Sequence, residues 1–154
     1  MNRIKIQLPE HLTFITTVPI RITDINYGNH VGNQVFFELI QEARVRFLQQ
    51  FDYGELNFEG VGLIMADAAI EFHSEVLYGD NIEIAVGISD IANSSFNIFY
   101  LLTVLRNEKR IRAAKAKTGI VCFNYAEKKV VAIPALAKEK LSSALTVSTN
   151  KSLD

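Results

Sequence analysis

A single cysteine, Cys122, rules out a disulfide within the chain, which fits a reducing compartment. It stands inside the apolar run Ile120–Phe123, where a lone cysteine acts as a small buried hydrophobe. Neither sign of charge is in excess: 16 Lys and Arg stand against 17 Asp and Glu, a net charge of −1. Nucleic-acid binders draw most of their affinity from phosphate neutralisation, so this balance argues against that partner class. Long hydrophobic runs are missing too. The most apolar window, Phe96–Leu105, is broken by Asn97 and Thr103 and falls short of the roughly 20 residues that cross a bilayer. Met1–Pro9 alternates Ile and Leu with polar residues and lacks the apolar block of a secretion signal. A cytoplasmic protein with no membrane insertion is the expectation.

Several motifs are absent. The chain has no Gly-x-x-x-x-Gly-Lys phosphate loop, no Gly-x-Gly-x-x-Gly and no Gly-x-Ser-x-Gly elbow, so nothing marks a nucleotide cofactor or a serine nucleophile. The three histidines, His11, His30 and His73, are far apart in sequence and lack metal-ligand spacing. No metal and no cofactor are expected. Tryptophan is absent, and ten Phe against five Tyr supply aromatic bulk mostly without a polar handle, suited to a core. At 154 residues the chain is long enough for one domain with a real core and too short for two.

What is present reads as one α+β domain over residues 1–154, with its core at about 12–133. Leu12–Thr23 is rich in Ile, Val and Thr, and Pro19 marks it as an edge strand or one with a break. Asp24–Gly32 carries two glycines and two asparagines and reads as a loop. Asn33–Phe51 follows as one long helix: Phe36, Ile40, Ala43, Phe47 and Phe51 recur at steps of three and four, and Leu39 and Leu48 widen the stripe. Asn33 is the expected N-cap. Such a wide, aromatic stripe calls for a sheet wrapped around the helix. Strands are expected at Leu63–His73, Asn81–Asp90, Ser95–Arg106 and Arg110–Tyr125, with Asn107-Glu108-Lys109 as a hairpin turn. A short strand near Val130–Ile133, a helix at about 134–145 and a frayed polar tail over 146–154 complete the reading. The basic stretch Lys109, Arg110, Arg112, Lys115 and Lys117 reads as the wet side of a strand or as a landing site for the phosphates of a substrate such as coenzyme A.

The loop Asp24–Asn33 concentrates the chemistry. A carboxylate, several side-chain amides, a histidine and two glycines precede an apolar helix. A helix start offers unpaired N–H groups and a positive dipole end, suited to an oxyanion, and glycine lets backbone approach a ligand. The alternative is a capped turn in which Asp and Asn satisfy local backbone groups.

The segment Arg21–Phe47, RITDINYGNHVGNQVFFELIQEARVRF, resembles the signature of hotdog-fold thioesterases of the 4-hydroxybenzoyl-CoA thioesterase type. The similarity continues through Ile70-Glu71-Phe72, Tyr78-Gly79-Asp80, Ser94-Ser95-Phe96 and Ala116-Lys117-Thr118-Gly119. The resemblance implies a hotdog fold, in which one long central helix is wrapped by a curved antiparallel sheet. It also implies a homodimer or homotetramer with sites at subunit interfaces, and metal-independent hydrolysis of acyl thioesters of coenzyme A or acyl carrier protein. Substrate-binding positions implied are Tyr27, Gly28, Asn33, Ser94, Ser95, Lys117 and Thr118.

One position departs from the family pattern. The second acid of its Asp-x-Asp, the usual base or nucleophile, is Asn26 here, and a neutral amide takes no proton from water near pH 7. Asn26 can still hold water or a carbonyl. The base is then to be sought among Asp24, on the face of Asn26 if the segment is extended, His30, which matches a position used in related plant acyl carrier protein thioesterases, and Glu42 on the helix. Acyl-CoA thioesterase is the leading function. A hotdog module that binds acyl-CoA or acyl carrier protein without hydrolysis comes second. A dehydratase or hydratase comes third, since no His-Phe-Pro segment is present.

Overall fold

A computed structural model describes residues 1–145, so the tail expected over 146–154 lies outside the described residues. The first strand, β1 (Phe14–Pro19), ends at its proline. Among the described residues it pairs with β3 alone and forms one border of the sheet, where a missing ladder N–H is tolerated. A 3₁₀ turn (Ile22–Asp24) and a loop lead into α1 (Asn33–Gln49). Then come β2 (Gly62–Phe72), β3 (Asn81–Ser89), β4 (Ser95–Arg106), β5 (Lys109–Asn124), the two-residue β6 (Lys129–Val130) and α2 (Ala135–Ala144).

All strands are antiparallel in one six-stranded sheet of order β1-β3-β4-β5-β2, with β6 on β5. The β4–β5 hairpin turns at Asn107 and Glu108, whose φ values of 49° and 63° are both left-handed, the geometry that suits the twist of paired strands. Ile82, Ile84, Val86 and Ile88 of β3 are all buried, as their period-two spacing requires. On β4, Phe96, Ile98, Tyr100, Leu102 and Val104 are buried on the same alternation, with Thr103 buried between the last two.

The helix lies against this face. Phe36, Leu39, Ile40, Ala43, Phe47 and Leu48 are buried in one core with the strand residues, and Phe47 meets Phe14 edge-on at 5.9 Å. Two expectations are corrected here. The helix stops at Gln49 rather than Phe51. Asp52 takes a left-handed φ of 61°, and its N–H and that of Tyr53 bond back to Gln49 and Leu48, a Schellman-type ending. The N-cap is Gly32 rather than Asn33. Asn33 is already helical, so its side chain makes no cap bond and is exposed at the helix start.

Beneath the sheet the polar exceptions are paired. The buried Arg44 guanidinium donates from Nε to Glu55 at 2.6 Å and also faces the Tyr100 hydroxyl. Tyr100 in turn shares a hydrogen bond with Thr118 at 3.0 Å. A buried charge is tolerable only when satisfied in this way.

The opposite face of the sheet is crossed by the N-terminal segment preceding β1. The His11 carbonyl passes so close to β3 that a Cβ on Gly87 would lie 2.5 Å from it. Farther along, the Ile6 N–H donates to Glu71 of β2 at 2.8 Å, and Lys115 of β5 donates to the Ile6 carbonyl at 3.1 Å. This strap buries Ile6 and Glu71.

Candidate active site

The loop between the 3₁₀ turn and α1 is tied at both ends. The Gly32 N–H donates to the Asp24 carbonyl at 3.1 Å, Ile25 and Val31 form an isolated antiparallel bridge, and the Asn26 N–H donates to the His30 carbonyl at 2.9 Å. Inside the loop Asn26 Oδ1 accepts the Gly28 N–H at 2.8 Å, an Asx-type turn. Asn29 takes a left-handed φ of 62°, and Tyr27 projects fully into solvent. The Val31 N–H donates to the Val76 carbonyl at 2.8 Å, clamping the loop to the segment after β2.

His30 folds back over this loop. Its Nδ1 lies 3.1 Å from the Val31 carbonyl; with the proton on Nδ1 the ring donates there and leaves Nε2 as the basic atom. Nε2 lies 2.8 Å from where a Cβ on Gly28 would stand, and Asn26 Oδ1 lies 3.2 Å from the same point. Gly28 is thus the residue that lets the imidazole and the amide close together.

Two clefts flank the loop. The smaller, of about 180 Å³, is lined by His30, Asn33, Phe36, Phe72 and His73 among others. Phe36 and Phe72 meet edge-on at 5.2 Å. The larger, of about 400 Å³, is lined by Asp24, Glu38, Glu42, Arg21 and Arg46 among others. The three candidates for the base are therefore divided: His30 lines one cleft, with Asn26 beside it, while Asp24 and Glu42 line the other.

Asp24 is buried, and its carboxylate accepts the Arg21 backbone N–H at 2.8 Å and the Arg21 guanidinium at 2.9 Å. Burial pushes its pKa up, but the Arg21 hydrogen bonds and charge outweigh that and hold it below the usual carboxylate value. The period-two argument linking Asp24 to Asn26 needs extended backbone, and Asp24 instead ends a 3₁₀ turn. Glu42 accepts from Arg46 Nε at 2.7 Å at the helix surface.

Of the positions proposed for substrate, Asn33 lines the His30 cleft and Gly28 and Tyr27 belong to its loop. Ser94, Ser95, Lys117 and Thr118 line neither cleft. Thr118 is fully buried against Tyr100. Lys117 pairs with Asp67 at 2.7 Å, and Asp67 also accepts the Gly119 N–H at 3.1 Å. Ser94 offers its carbonyl to the Cys122 N–H at 2.9 Å where β4 begins.

No local pattern in the chain marks His73 as part of this site, since 42 residues lie between it and His30. Its Nε2 lies 3.3 Å from Glu71 Oε1. Burial lowers the His73 pKa; Glu71 opposes this, while Arg112, Lys115 and Lys5 add to it. Among the described residues no group of three or more His, Cys, Asp or Glu is arranged to hold a metal ion, and no helix is long and apolar enough to cross a membrane.

The thioesterase-like superfamily matches residues 20–142. No curated protein matches the chain. Among solved structures, a thioesterase-superfamily protein from Jannaschia sp. CCS1 is 16% identical with a TM-score of 0.79, covering 90% of this chain and 87% of its own. A 1,4-dihydroxy-2-naphthoyl-CoA thioesterase from Synechocystis is 20% identical with a TM-score of 0.75, covering 88% and 98%. A thioesterase from Thermus thermophilus, complexed with coenzyme A and Zn, is 22% identical with a TM-score of 0.73, covering 87% and 95%. The superfamily match spans well over half of the chain, and the helix-on-sheet architecture agrees with it: the chain belongs to the thioesterase-like superfamily and has the hotdog fold.

Proposed function

We propose that the chain is a thioesterase that hydrolyses an acyl thioester of coenzyme A in the cleft at the start of α1. The observation that carries this reading is the convergence of a helix N-terminus, an imidazole and an apolar floor on one cleft, through Asn33, His30, Phe36 and Phe72. The Val35 N–H bonds the Gly32 carbonyl at 3.0 Å, which leaves the N–H groups of Asn33 and Gln34 at the helix start to hold the oxyanion that forms when water adds to the carbonyl carbon. An imidazole removes the proton from that water, since Asn26 cannot. Collapse of the oxyanion breaks the C–S bond, and the departing thiolate takes up the proton. The reaction is metal-independent and cytoplasmic, and acyl carrier protein is the alternative carrier of the acyl group.

The working unit is a homodimer or larger assembly. Among the described residues β2 pairs with β5 alone; its other edge is met at one end, where the Leu63 N–H bonds the Glu55 carbonyl, and its middle is free for pairing, with Met65 half exposed beside Ala66 and Ala68. A second copy joined along that edge satisfies its backbone groups and builds a further wall against the cleft.

A second reading, binding without hydrolysis, is favoured by one fact: the neighbouring carboxylate, Asp24, is buried and paired with Arg21. Incubation of the purified protein with acetyl-, hexanoyl- and benzoyl-CoA, with detection of free thiol, separates the two. Thiol release above the buffer rate is expected. Saturable binding of these thioesters with no release supports the binding module instead.

A further inference from the structure

Resting on the hydrolytic reading, we propose that His73, positioned by Glu71, is the general base of this cleft: its imidazole takes the proton from the attacking water and returns it to the departing thiolate. Both histidines are among the residues lining the same cleft as Asn33 and Phe36, so the lining alone does not separate them. Their partners do. His30 has a neutral carbonyl beside Nδ1, that of Val31 at 3.1 Å. His73 has a buried carboxylate beside Nε2, Glu71 at 3.3 Å. A base that becomes a cation in the transition state gains far more from an adjacent carboxylate than from a carbonyl, and that carboxylate also fixes the tautomer. With Nε2–H directed at Glu71, Nδ1 is the basic atom of His73.

Glu71 is itself held. Its Oε2 accepts the Ile6 N–H at 2.8 Å, so the strap fixes the carboxylate that fixes the ring. Glu71 and His73 are two residues apart at the end of β2, and the His73 N–H is anchored on the Ala113 carbonyl at 2.8 Å. The charged groups acting on His73 are Glu71 near the end of β2, Arg112 and Lys115 on β5, and Lys5 on the strap. His30 and Glu75 share its cleft. Burial and the three cations outweigh Glu71 and keep the His73 pKa below its ordinary 6.5, so the ring is neutral and able to accept a proton at pH 7.

The proton balance closes on one residue. Water gives a proton to Nδ1 as its oxygen bonds the carbonyl carbon. The C–S bond then breaks with its electron pair on sulfur, and the imidazolium protonates that sulfur. No oxidant or second reactant enters.

The test compares His73→Asn, Glu71→Gln and His30→Asn with wild type, measuring kcat and KM from pH 5 to 9 on benzoyl-CoA and hexanoyl-CoA. His73→Asn is expected to lower kcat by about 10²–10⁴-fold, the usual size of a lost general base, to leave KM little changed and to abolish the acidic limb of the profile. Glu71→Gln still accepts from Ile6 but no longer stabilises the imidazolium, so its limb moves to lower pH and its kcat falls. His30→Asn is expected to keep the limb. A His73→Asn protein whose kcat stays within about threefold of wild type, or a limb that disappears in His30→Asn instead, overturns the assignment while leaving hydrolysis intact. Should His73→Asn fail to fold, an unshifted limb in Glu71→Gln overturns it equally. Wild type that releases no thiol overturns hydrolysis and this assignment together.

Discussion

Asn26 and Asp24 show how two polar residues two positions apart in a motif come to different ends. The Asn26 amide is spent in part on the Gly28 N–H but stays beside His30 at the open side of the loop. Because it positions rather than ionises, Asn26→Asp is expected to leave thioester hydrolysis unchanged or to raise it; a free-thiol assay of the variant that reads well below wild type would show that the amide itself is needed. Asp24 closes the 3₁₀ turn through Arg21. Asp24→Asn is therefore expected to lower stability by about 1–3 kcal/mol, the scale of a weakened buried hydrogen-bonded charge, read as a shift in the urea midpoint. The sign with pH follows from its depressed pKa. The carboxylate contributes fully above its unfolded value, near 3.8, and loses its contribution as pH falls below that toward the native value. The gap in midpoint between wild type and Asp24→Asn should thus narrow between pH 5 and pH 3. A gap that stays constant would place the stabilisation elsewhere.

Helix α1 is the element on which the rest is assembled, and its sequence is legible for a physical reason. Apolar side chains at steps of three and four fall on one face, and the sheet covers that face. Phe47 is fully buried, so Phe47→Ala is expected to cost about 3–5 kcal/mol in denaturant unfolding; a loss below about 1 kcal/mol would mean that the cavity closes or the face is wrong. β3 was legible by alternation, and β4 as a run apolar on both faces, as a central strand is. The helix ends were not. A stripe of apolar residues does not register that Asp52 turns left-handed, nor that Gly32 caps the helix while Asn33 starts it. The His30 cleft was legible only on the side made by the loop and α1. Its other wall, Phe72 to Val76, comes from chain some 40 residues away, and no local period brings the two together. Asp24 shares a face with Asn26 only where the chain is extended, and that condition is not met because Asp24 ends a 3₁₀ turn.

For the whole molecule, two borders of the sheet differ. β1 ends in Pro19, which cannot extend a ladder, whereas β2 is eleven residues long and its side away from β5 is bonded near its ends, at Leu63 and Phe72, leaving the middle for a partner strand. Assembly through β2 is expected to give a stable dimer or larger oligomer by sedimentation at micromolar concentration, and an active monomer there would refute it. The other large-scale feature, the strap, was invisible in Met1–Pro9 because its alternation is that of an ordinary strand. Its only trace was Gly87, which makes room for the chain to cross at His11 and Leu12.

The strap has a consequence for the order in which the molecule forms. Ile6 is synthesised first, yet its partners Glu71 and Lys115 lie 65 and 109 residues downstream. Contacts of such separation carry the largest loop-closure cost and have nothing to dock on until β2 and β5 are paired. The Ile6 amide should therefore be among the last to gain protection in pulsed hydrogen exchange during refolding, after the amides of β3 and β4. The carboxylate of Glu71 would stay solvated until that moment, so recovery of thioester hydrolysis should lag behind recovery of the native sheet.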